Sequence, residues 1–120
     1  MAKGDDIQER LIQFAARVIK ACDTLPKTAA GKHIAGQLLR SGTSPAANHG
    51  EARSAESTAD FIHKLKISTK ELNESEVWLR IIIASDLIPR HMLDSLLDES
   101  TQLQRILNAS IKTARRSAEQ

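Results

Sequence analysis

Aromatic side chains are almost absent: Phe14, Phe61 and Trp78 are the whole set, and there is no tyrosine. Strands draw on aromatic and β-branched residues, so the shortage argues against a β fold. It also removes the stacking platforms on which single-stranded bases are held. Cys22 is the only cysteine, which excludes an internal disulfide and a thiolate metal cluster. The five glycines, at 4, 31, 36, 42 and 50, fit neither GxGxxG nor the phosphate-cradling GxxxxGKS/T. Long apolar runs are missing too. The most apolar window, VWLRIIIASDLI, is broken by Arg80 and Asp86 and is too short to span a bilayer. The start, MAKGDDIQERL, is charged and lacks a signal-peptide core, so a soluble cytoplasmic protein is expected.

What is abundant is Ala, Leu, Ile, Glu, Lys, Arg and Gln, the residues that favour helix. With 120 residues the chain reads as one all-α domain, 1–120. A first helix is expected over about 5–23, where Ile7, Leu11, Phe14, Val18 and Cys22 form a stripe that Ile12, Ala15 and Ile19 widen. Pro26 ends it, because helical geometry is disfavoured at the preceding Leu25. Thr28 is placed to cap a second helix over 28–54, which carries Ala35, Leu38 and Leu39. Within it, Gly42, Ser44 and Pro45 predict a bend near 42–45, with Ser44 capping and Pro45 restarting the helix. Ser57 and Asp60 resemble a capping box for a third helix over 57–85. A fourth spans 89–114, where Leu93, Leu96, Ser100, Leu103, Leu107, Ser110 and Ala114 keep a heptad-like seam, and the tail beyond is expected to fray. Four amphipathic helices with short joints predict an antiparallel up-and-down four-helix bundle.

The search for chemistry ends without a catalytic residue. His49-Gly50-Glu51 has the H-x-E of zinc deaminases, but the P-C-x-x-C half of that signature is missing. Ser41, Thr43 and Ser44 lie near His49 in sequence, yet serines before a proline are commonly helix caps, and a nucleophile needs an orienting third group and an oxyanion hole. Glu71, Glu74 and Glu76 gather carboxylates on the third helix without the Glu-x-x-His of di-iron bundles. No metal, no cofactor and no enzymatic activity are expected.

Charge and apolar surface point to partners instead. Between Arg10 and Arg53 seven Lys/Arg face only Asp23 and Glu51, a local +5 within a chain of net charge +2. Phosphate contacts need only such cations, so Lys32, Arg40 and Arg53 are candidates for weak contact with RNA or DNA backbone. On the third helix, Val77, Trp78 and Ile81 lie on one side and Leu79, Ile82 and Ile83 on another. One bundle core buries one stripe, so Val77, Trp78 and Ile81 are assigned to an oligomer interface.

The block RSGTSPAANHGEARSAESTADFIHKLKISTKELNESEVWL resembles the signature of the bacterial 23S rRNA intervening-sequence proteins. Its landmarks are Arg40, Ser44, Pro45, Asn48, Glu51, Ala52, Phe61, Lys64, Leu65, Glu71, Leu72, Glu74, Trp78 and Leu79, and the resemblance extends over about residues 5–113. It implies a four-helix bundle whose relatives assemble into five-membered rings. More distantly the chain is similar to the accessory protein of diversity-generating retroelements, a basic ring that contacts nucleic acid. Arg40, Asn48, Glu51, Lys64, Glu71 and Glu74 are read as the polar cluster of the resembling block, with Arg40, Asn48, Glu51 and Lys64 expected near the turn between the second and third helices. The combined expectation is a non-enzymatic homopentamer that touches nucleic acid or a ribonucleoprotein. The alternative is a scaffold for an unknown protein partner.

Overall fold

Two hydroxyl caps fix where the middle helices begin. In the computed structural model, which describes residues 3–119, Thr28 Oγ1 accepts from the Gly31 N–H and Ser57 Oγ from the Asp60 N–H, each at 3.1 Å. Each bond satisfies one of the amides that a helix start leaves unpaired. The two caps open α2 (Ala29–Arg53) and α3 (Thr58–Ala84), with α1 (Lys3–Thr24) before them and α4 (Arg90–Glu119) after. Helix α3 ends on Asp86, whose positive φ of 56° lets the Asp86 and Leu87 N–H groups bond back to Ile83 and Ile82. Such a left-handed stop satisfies the last carbonyls and turns the chain toward α4.

Successive helices pack side by side, α4 returns to α1 through a lighter contact, and the diagonal pairs meet only through side chains in the core. The result is the expected four-helix bundle, 52 × 24 × 23 Å. Its core runs along the axis from Ile7, Leu11, Phe14 and Val18 of α1 to Leu65, Leu72, Leu79 and Ile82 of α3, and to Leu93, Leu96, Leu103 and Leu107 of α4. Each of these side chains contributes about 1.5–3 kcal/mol relative to exposure. Helix α2 contributes little bulk. Apart from Ile34 and Leu38 its buried side consists of Gly31, Ser41, Gly42, Pro45, Ala46, His49 and Ala52.

Four details differ from the sequence reading. Helix α2 runs unbroken through Gly42 and Pro45, and Ser44 is an interior residue whose Oγ and carbonyl accept from Asn48 Nδ2 instead of capping a restart. The proline costs the helical bond to the Ser41 carbonyl, while its ring is fully buried and its own carbonyl accepts a bond from Ser68 Oγ of α3 at 3.1 Å. Ile12, Ile19 and Leu39 do not widen the core; they are 43 %, 45 % and 42 % exposed. The α4 seam passes from Leu107 to Ile111 and not to Ser110, a step of four where a step of three was expected. The tail stays helical to Glu119.

Gly42 marks where α1 and α2 come closest. A Cβ there would lie 2.6 Å from Val18 Cγ1 and 2.8 Å from Cγ2, whereas one on Gly36 would meet nothing within 4 Å. Gly42→Ala is therefore expected to destabilise: overpacking costs about 1–3 kcal/mol, more than the roughly 1 kcal/mol of helix propensity that alanine adds. Gly36→Ala, which keeps only the propensity gain, should raise stability. Urea unfolding of the two variants checks the opposite signs.

Candidate functional site

The longest charged network lies across α2 and α3. Arg40 Nη1 donates to Glu71 Oε2 at 2.8 Å, and its Nη2 donates to Glu74 Oε2. The same Glu74 oxygen accepts from the indole Nε1–H of Trp78 at 3.0 Å. The indole N–H first, and Arg40 next, hold the Glu74 carboxyl below its usual range, while Glu74 and Glu71 raise Arg40. His33 of α2 meets the Trp78 ring edge-on, with centroids 5.9 Å apart. Arg40, Glu71, Glu74, Trp78 and His33 thus form one exposed-to-half-buried clasp over the α2–α3 joint.

The polar residues expected to cluster divide into three groups. Arg40, Glu71 and Glu74 are together. Glu51 and Lys64 meet separately at 3.8 Å, a loose pair nearer the α2–α3 turn. Asn48 is turned back along its own helix onto Ser44. The cause is helical register. Asn48 lies eight residues beyond Arg40, about 12 Å farther along α2 at 1.5 Å per residue.

The cations assigned to nucleic acid are also unequal. Arg53 Nη2 donates to Asp5 of α1, and Arg40 is held by two carboxylates; Lys32 is exposed and has no ion pair among the described residues. Arg10, inside the same basic stretch, forks onto Glu99 of α4 at 2.6 and 3.1 Å. Exposed cations that make no ion pair among the described residues include Lys66, Lys70 and Arg80 on α3 and Arg105, Lys112 and Arg116 on α4.

The residues considered for catalysis are occupied elsewhere. His49 is buried, and its Nδ1 pairs with Gln8 Oε1 of α1, while Gln8 Nε2 donates to the Ala46 carbonyl at 3.1 Å. Because that oxygen is an acceptor, Nδ1 carries the proton in the neutral ring. Ser41 donates to Leu38 O and accepts from Ser75 Oγ at 2.9 Å, and Thr43 donates to Leu39 O at 2.7 Å. Glu76 parts from Glu71 and Glu74, accepting instead from Thr101 of α4 at 3.1 Å. Among the described residues no three His, Cys, Asp or Glu side chains come together as metal ligands. Cys22 is buried, and that burial raises its thiol pKa.

Of the three residues expected at an oligomer interface, Val77 and Ile81 are exposed, at 44 % and 37 %, while Trp78 leans onto the core. Val77 and Ile81 line an open groove of about 690 Å³ between α3 and α4, together with Ile83, Ala84 and Leu97 and rimmed by Glu76, Arg80 and Arg90. No helix of the described residues is long and apolar enough to cross a membrane.

A four-helix bundle with a charged clasp over its α2–α3 joint and an exposed apolar face on α3 is the class these features define. The chain belongs to the 23S rRNA-intervening sequence protein family, whose model matches residues 5–109. Its structure is similar to a crystal structure from Bacteroides thetaiotaomicron, a protein of unknown function from the S23 ribosomal protein family. The TM-score is 0.84 and the identity 38 %, over 88 % of this chain and 98 % of that one. No curated protein matches the chain.

Burial first, and Arg53 second, lower the pKa of His49 from its ordinary 6.5. As pH falls the unfolded chain binds that proton before the folded one does, so acid favours unfolding. Stability is expected to hold above about pH 6.5 and to fall below it until the folded-state pKa is reached. Urea unfolding between pH 5 and 7.5 should show a shallower fall in His49→Gln than in the wild type.

Proposed function

We propose that this protein is a non-enzymatic assembly module, a homo-oligomeric helical bundle that presents a repeated surface to a partner. The observation that supports this best is the exposure of Val77 and Ile81 beside an apolar groove on α3, where an isolated bundle gains nothing from uncovered aliphatic side chains. Resemblance to ring-forming relatives supports five copies. Light scattering at micromolar concentration is expected to give a multiple of the 13.2 kDa chain mass, most simply fivefold. A monomer across that range removes the reading.

Contact with RNA or DNA backbone is the second reading, favoured by a specific feature of α4. Arg105, Lys112 and Arg116 follow one another at spacings of seven and four, so they share one helix face, and all are exposed. Lys32 adds a free cation on α2. Arg40 and Arg53, committed to carboxylates, serve the fold before any phosphate. Affinity for duplex DNA or RNA should fall with salt, with a log–log slope of about −0.7 to −0.9 per phosphate contact. Reversing Arg105, Lys112 and Arg116 to glutamate should abolish binding with the fold intact. Absence of any binding at low salt leaves a protein-binding scaffold as the role.

A further inference from the structure

Two faces on opposite sides of this bundle match each other, and neither matches itself. Helices α1 and α3 are diagonal across the core, so the face that each turns to solvent points away from the other. On α1 that face carries Ile12 and Ile19, both over 40 % exposed and seven residues apart on one line of the helix. Glu9 stands one turn before the pair and Asp23 one turn after it; both are exposed and neither makes an ion pair among the described residues. Of the neighbouring cations of α1, Arg10 is turned to Glu99 and Arg17 to Ser95 of α4, while Lys20 stays exposed beside Ile19 as a single positive charge among these carboxylates.

The solvent face of α3 also joins an apolar pair to charges, here of the opposite sign. Val77 and Ile81 form its apolar pair, Lys66 and Lys70 precede them, and Arg80 stands between them in sequence. All three cations are exposed and unpaired among the described residues. Of the nearby carboxylates, Glu74 is held by Arg40 and Trp78, and Glu76 accepts from Thr101 at the rim of the groove on its α4 side.

Resting on the homo-oligomer reading above, we infer that the α1 face of one copy docks on the α3 face of the next. Ile12 and Ile19 enter the region of Val77, Ile81 and the adjoining groove, and Glu9 and Asp23 oppose Lys66, Lys70 and Arg80. Pairing either face with its own copy would set like charges against each other, a cost that opposite faces avoid. Contact between two different faces is heterologous, and its repetition makes a ring where the rotation closes. The occupant of the groove on α3 is therefore a second copy of this chain.

Two full-length variants, each blocked on one face, test the inference. Ile12→Arg with Ile19→Arg places cations against the cationic α3 face, and Val77→Asp with Ile81→Asp places carboxylates against the acidic α1 face. Each alone should sediment at the monomer mass of 13.2 kDa with unchanged helical circular dichroism, and an equimolar mixture should reassociate, since it restores one intact α1 face and one intact α3 face. A variant that keeps the wild-type mass or stops at a dimer, or a mixture that stays monomeric, overturns the inference while leaving the assembly reading standing. A monomeric wild type overturns that reading, and this inference with it. If a blocked variant loses its helical signal, Glu9→Lys with Asp23→Lys probes the α1 face at exposed charges alone. It should weaken association about tenfold at low salt, and unchanged association overturns the inference.

Discussion

The close approach of α2 to its two neighbours is the constraint on which the rest of this bundle depends. From Ser41 to Ala52 its buried side offers Ser41, Gly42, Pro45, Ala46, His49 and Ala52, with no large aliphatic side chain to hold other helices at a distance. Backbones that close bring carbonyls within reach of neighbouring side chains. Ser68 of α3 donates to Pro45 O, and Gln8 of α1 donates to Ala46 O, so two helices grip adjacent peptide units of a third. The proline is accommodated inside this grip. Its missing N–H costs a helical bond, while its ring fills buried space that a polar residue would have to leave unsatisfied.

The same closeness decides what the charges do. Counted along the chain, the first half is basic, and that count suggested a surface for phosphate. Folded, three arginines of that half meet carboxylates that are remote in sequence: Arg10 meets Glu99, Arg40 meets Glu71 and Glu74, and Arg53 meets Asp5. These are surface pairs, each worth little to stability alone because water and salt screen them. Their larger effect is on availability, since an arginine held by two carboxylates presents little net field to a polyanion. Free positive charge therefore includes Lys66, Lys70 and Arg80 of α3, in a segment whose net charge along the chain is −4 over residues 55–104, and Arg105, Lys112 and Arg116 of α4, beside Lys32 of α2.

The fold was legible because it rests on local chemistry. Thr28 and Ser57 cap where hydroxyls before an apolar-periodic run should cap, and the α1 stripe of Ile7, Leu11, Phe14, Val18 and Cys22 is buried as its spacing implies. What could not be read depends on partners beyond the helix. Gly42 and Pro45 look like breakers until the helices that occupy their surroundings are known. Ile12 and Ile19 belong to the apolar arc of α1, but an arc has two edges, and only the position of α2 decides that these two stay outside. The clasp of Arg40, Glu71, Glu74 and Trp78 was legible as a set of polar landmarks, though not its geometry, and the role of His33 against the indole had no signal in the sequence. His49 drew attention as a possible base and serves as a buried link from α2 to α1.

Helix α1 is the element with most to gain from a partner. Its backbone runs close to α2 and farther from α4, and polar bonds cross the outer edge of that wider joint: Arg10 to Glu99 and Gln102, and Arg17 to Ser95 at 2.9 Å. A bundle closed along one side by hydrogen bonds at the solvent edge opens there at lower cost than along its aliphatic seams. Covering Ile12 and Ile19 from outside would bury apolar surface on that helix and oppose its release, so assembly and folding would share one free energy. On this view the exposed isoleucines and the polar α1–α4 seam are parts of one arrangement. The inner face of the first helix is anchored in the core through Leu11, Phe14 and Val18, and under the proposed assembly a neighbouring copy would add contact on its outer face.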